Sequence, residues 1–146
     1  MTQLRSDATP TTGEAVRPGH LLGALVNGLL IAAIHGWPGW DVVPFLTDET
    51  PRVLGLVTVG LVAGIAVHLV QAAASAGWLV PAGTVVTSAF GLAECAWVFQ
   101  VFPFDLGGGW DALARVLLVI GAFGSGIGAV AALVATVRLR AAGRVR

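Results

Sequence analysis

Four long apolar runs constrain this chain more than any other feature. They cover about residues 18–35, 52–76, 81–102 and 110–137. A helix crosses the hydrocarbon core of a bilayer with about 20 mostly apolar residues. Each run is too long and too evenly apolar to be a strand. Inside lipid, backbone groups must be satisfied within the segment, which leaves the helix as the conformation for a single run. The expected fold class is therefore all-α, a four-helix transmembrane bundle. Composition agrees. The chain has 146 residues, 56% hydrophobic and 11% charged, against about 25% charged in a soluble domain. Four helices, their loops and two tails fill the length as one domain. The first run is short enough to be a signal-peptide core. However, Ile34-His35-Gly36-Trp37 is a poor cleavage site, so the run is read as an uncleaved helix.

Charge sets an expected orientation. Arg5 and Arg17 precede the first helix, and Arg138, Arg140, Arg144 and Arg146 follow the last. Asp41, Asp48, Glu49, Asp105 and Asp111 lie in or beside the two longer loops. The positive-inside rule then puts both termini in the cytoplasm of a cell whose plasma membrane the chain crosses four times. Residues 1–17 read as a disordered cytoplasmic tail and 139–146 as a basic one. Trp37, Trp40, Trp97 and Trp110 near the longer loops suit an interfacial belt, with Trp78 alone on the inner side. Net charge is zero, so no electrostatic case for nucleic acid arises. Cys95 is the single cysteine, so neither an intrachain disulfide nor a CxxC metal site can form.

The polar residues inside the runs are few. Glu94 lies eight residues before Phe102, about 12 Å inside the boundary. A bare carboxylate there costs at least ~2.5 kcal/mol, so it is expected to face protein. Thr84, Thr87, Ser88, Gly91, Glu94 and Cys95 recur at spacings of three and four, one polar face turned to the bundle interior. Arg52 and Arg115, opening the second and fourth helices, are the expected partners of Glu94. A Glu–Arg pair that fixes helix register is the structural alternative to a proton or cation site. His68 shares a face with Gly60 and Gly64, and Asn27 with Gly19 and Gly23. Each reads as a hydrogen-bonding group between helices. Gly60-x-x-x-Gly64 and Gly124-x-x-x-Gly128 are small-residue motifs that favour close helix packing. His35 and His68 are expected to differ in depth by about 24 Å, and His20 to miss His68 by about two turns. No haem, other cofactor or metal site is therefore expected.

Two strings resemble one another. Pro44-Phe45-Leu46 with Arg52-Val53-Leu54 precedes one glycine-rich helix, and Pro103-Phe104-Asp105 with Arg115-Val116-Leu117 precedes another. They suggest a duplicated helical hairpin, with convergence at membrane interfaces as the alternative. Residues 35–46 (His-Gly-Trp-Pro-Gly-Trp-Asp-Val-Val-Pro-Phe-Leu), Arg52-Val53-Leu54-Gly55 and residues 100–105 together resemble small four-helix membrane proteins of high-GC Gram-positive bacteria. The likeness spans most of residues 18–138, and it implies fold and membrane location without an activity. No nucleophile, base and acceptor arrangement is visible, so an enzyme is not expected. The leading expectation is an accessory or scaffold protein that binds another membrane protein or itself within the lipid bilayer. The alternative is a small oligomeric transporter or channel built around Glu94.

Overall fold

The computed structural model describes residues 18–73 and 76–143. The expected tail at 1–17 lies outside these residues, as do Arg144 and Arg146. The fold is all-α. Four helices, α1 (Pro18–His35), α2 (Pro51–Ala73), α3 (Leu79–Val101) and α4 (Trp110–Gly143), form the bundle. All four are long and apolar enough to cross a membrane. At 1.5 Å per residue α1 is about 27 Å long, close to the ~30 Å hydrocarbon core, and α4 is about 51 Å. The expected basic tail is thus helical as far as Gly143. Residues Leu139–Gly143 carry on α4, where Arg140 lies over the Trp78 ring at 3.9 Å.

The packing follows chain order. α1 packs on α2, α2 on α3 and α3 on α4, and no other helix pair meets among the described residues. The bundle is therefore laid out as a row with α1 and α4 at its edges. Almost nothing is buried in the manner of a soluble core. Among the described residues Val53, Pro103 and Ala132 are buried apolar side chains, while Ile127 on α4 is 70% exposed and Leu29 on α1 is 60% exposed. Such faces suit lipid, which solvates leucine as well as a protein interior does.

Local sequence explains the helix ends. Pro51 and Pro81 both stand in a first helical turn, where a missing N–H costs nothing. α3 ends where Phe102 turns left-handed (φ 46°) and its N–H returns to the Val98 carbonyl at 2.8 Å. Pro103, fully buried, follows. Gly107, Gly108 and Gly109 all have positive φ, and that run lets the chain reverse into α4.

The two longer loops clasp each other. Leu46 and Phe104 pair as an antiparallel bridge. Thr47 N–H donates to the Pro103 carbonyl at 3.0 Å, and Asp105 N–H donates to the Phe45 carbonyl at 2.9 Å. The Pro-Phe strings that resemble each other in sequence are the segments that meet. Beside the clasp, the Trp97 indole N–H donates to the Arg52 carbonyl at 2.9 Å, tying α3 to the first turn of α2.

Candidate functional site

Asn27, His68, Gln71, Ser88, Glu94, Cys95 and Ser125 share one mode of packing. Each turns against a glycine on the neighbouring helix, where the absence of a Cβ makes room. Asn27 of α1 lies against Gly64 of α2, its amide 3.2 Å from where a Cβ would stand. His68 of α2 lies against Gly23 of α1, its Nε2 2.6 Å from such a Cβ. Glu94 of α3 covers Gly60 of α2 so closely that a Cβ there would collide with Oε1. Gln71 of α2 and Val67 beside it cover Gly83 of α3. Between α3 and α4, Ser125 meets Gly91, Cys95 meets Gly121 and Ser88 meets Gly128. In lipid, close approach and interhelical polar contact replace the hydrophobic drive.

This arrangement corrects the expected Glu94 partners. Neither Arg52 nor Arg115 reaches Glu94. Arg52 pairs with Glu49 one turn away, Nη1 to Oε2 at 2.5 Å, with both side chains largely exposed. Arg115 lies over the Phe102 ring at 3.7 Å and the Phe99 ring at 5.4 Å, and donates to the Phe99 carbonyl at 3.4 Å. Both arginines stay at the loop end, where a nearby acid and aromatic faces serve them without entering the span. Glu94 makes no ion pair among the described residues.

The single inward face expected on α3 also divides. α3 has a helix on each side in the row. Ser88, Gly91 and Cys95 turn to α4, Glu94 turns to α2, and Thr84 is exposed. α2 divides likewise: Gly60 faces α3, while Gly64 and His68 face α1. Of the second glycine motif, Gly128 meets Ser88, whereas Gly124 has open space beside it.

The histidines correct a second expectation. The His20 and His68 ring centroids are 5.9 Å apart, with no two-turn gap. His20 lies fifteen residues from His35, and His68 sixteen from Arg52. Antiparallel packing therefore brings them near one level, and the glycine notch at position 23 admits the His68 ring. His35 lies against Thr58, Nε2 to Oγ1 at 2.6 Å. Because Thr58 Oγ1 donates to the Leu54 carbonyl at 2.7 Å, it accepts from His35, which puts the proton on Nε2. Asn27 Nδ2 donates back to the Gly23 carbonyl at 2.8 Å, within α1.

Sequence reading missed Gln71. It is 5% exposed and donates across the tight turn to the Val80 carbonyl at 3.0 Å. Its signal was available: an amide in the last turn of an apolar helix has donors to satisfy, and the carbonyls across a short connection are within reach. It also missed a cavity of about 340 Å³ beneath the clasp, walled by Ile34, Trp40, Val53, Val98, Pro103 and Phe104 among others. Thr50 lines it too, and its buried hydroxyl has no partner. The walls are otherwise apolar. No group of three or more His, Cys, Asp or Glu side chains gathers for a metal among the described residues. No family model, no curated protein and no solved structure matches the chain.

Proposed function

We propose that this protein is an accessory or scaffold protein of the plasma membrane, non-catalytic, with both termini in the cytoplasm. It binds another membrane protein through the apolar edges of its helix row. The observation that supports this reading is that the polar side chains of the spans are largely engaged at glycine contacts between neighbouring helices. They form separate contacts at α1–α2, α2–α3 and α3–α4 instead of one track through the molecule. The edge helices α1 and α4 meanwhile keep broad apolar faces outward. The arginine distribution supports the orientation. The matched Pro-Phe loop strings, each joining the two helices of a hairpin, support a duplicated hairpin as the origin of the fold.

The test is gentle extraction into nanodiscs followed by native mass measurement. Co-purification of one larger membrane protein at fixed stoichiometry is the expected result. A clean homo-oligomer carrying ion flux in liposomes would replace this reading with the second one.

That second reading is a small oligomeric transporter or channel using the Glu94 carboxylate. It is favoured by one observation: Glu94 has no cationic partner among the described residues. Intramembrane carboxylates are rare and mark ion and proton pathways. Glu94→Gln abolishes flux under this reading and changes nothing under the first.

A further inference from the structure

We propose that His20 and His68 form a two-imidazole site between α1 and α2 that takes a monovalent soft cation, Cu(I) or its analogue Ag(I). The ring centroids stand 5.9 Å apart with 37° between the planes, so the rings do not stack. Metal–imidazole bonds are about 2 Å and a ring nitrogen lies about 1.1 Å from its ring centre, which puts two rings bridged by one ion about 5 Å apart at a tetrahedral angle and about 6.2 Å apart in a line. The observed separation falls in this range, close to the linear limit.

A second observation points the same way. His68 Nδ1 is buried and has no hydrogen-bond partner. A buried nitrogen left without a partner carries its full desolvation cost. A bound cation removes that cost by taking the lone pair. Gly23 is what admits the ring, since a Cβ there would lie 2.6–2.8 Å from Nε2, Cε1 and Cδ2.

The number of donors selects the ion. No third His, Cys, Asp or Glu joins the pair among the described residues. Zinc takes four ligands and calcium six to eight, with oxygen preferred by calcium. Two imidazole donors satisfy a d10 monovalent ion, and imidazole is a good donor to copper. The ion would tie α1 to α2 near the helix ends opposite the clasp.

Silver(I) in halide-free buffer is the probe, because it binds like Cu(I) without redox chemistry. The full chain in nanodiscs, carrying Cys95→Ser to remove the competing thiol, is titrated by calorimetry. One Ag(I) per chain is expected. His20→Ala should weaken binding about 100-fold, and Gly23→Ala, which keeps both imidazoles but displaces one, about tenfold. His35→Ala should leave it unchanged. X-ray absorption should report two nitrogen neighbours at about 2 Å. His20 is half-buried in the first turn of α1, so its removal tests the ligand without dismantling the hairpin, and a thermal unfolding scan checks this. Full-strength binding in His20→Ala, or binding lost equally in His35→Ala, overturns the proposal.

Discussion

Gly83→Ala tests the glycine-contact packing most sharply. A Cβ at this buried position would lie 2.5 Å from Val67 Cγ1 and 3.1 Å from Gln71 Cδ, and would collide with Gln71 Nε2. Val67 cannot swing aside easily, because a β-branched side chain in a helix has one strongly preferred rotamer. Gln71 can move only by giving up its bonds to the Val80 and Leu79 carbonyls. Overpacking of this kind costs about 1–3 kcal/mol, and a lost amide bond adds about 1 kcal/mol. The sum is a destabilisation of about 2–4 kcal/mol. Gly124→Ala is the control. It has nothing within 4 Å, so it adds a methyl to open space and gains helix propensity. Equilibrium unfolding in bicelles by added SDS measures both. Val67→Ala placed in the Gly83→Ala background should restore stability, with a coupling of about 1 kcal/mol or more. Equal effects at positions 83 and 124, or strict additivity of the rescue, would refute the reasoning.

Three further outcomes follow from the same contacts. Glu94→Gln should change unfolding free energy by less than about 1 kcal/mol, since no ion pair is broken; a loss of 3–5 kcal/mol, as for a severed buried pair, would show a cationic partner after all. Trp97→Phe removes the indole bond to the Arg52 carbonyl and should cost about 1 kcal/mol, with faster amide exchange in the first turn of α2 as the local signature. Gly108→Ala meets no atom within 4 Å, so its expected cost of about 1–2 kcal/mol comes from the left-handed backbone alone, read as a lower thermal midpoint in detergent.

The row layout bears on how such a protein acts. A four-helix bundle closed on itself would put Glu94, His68 and Asn27 around one axis. Here Asn27 and His68 occupy the α1–α2 interface and Glu94 the next one along. Each polar group serves a single pair of helices. Both edges of the row remain open to lipid or to a partner, and the clasp between Phe45-Leu46-Thr47 and Pro103-Phe104-Asp105 holds the two hairpins together at one end.

The sequence alone determined the number of long apolar helices, their near boundaries and some of the residues that meet between them. The reason is that lipid imposes a length and a composition on each segment separately. Asn27, Gly64, His68, Glu94 and Gly128 could be picked out because a polar group or a glycine stands out in an apolar run. Which of them meet was a different kind of question. Spacing along α2 puts Gly60, Gly64 and His68 on one side, yet Gly60 belongs to α3 and the other two to α1. Helix order in the row, not periodicity, decides that. Charge and position near the outer ends of α2 and α4 make Arg52 and Arg115 the expected partners of Glu94. Only the tertiary structure shows that Glu49 and the rings of Phe102 and Phe99 hold them at the loop end. The meeting of His20 with His68 likewise depends on one missing Cβ at Gly23, a contact between helices whose relative rotation no single segment encodes.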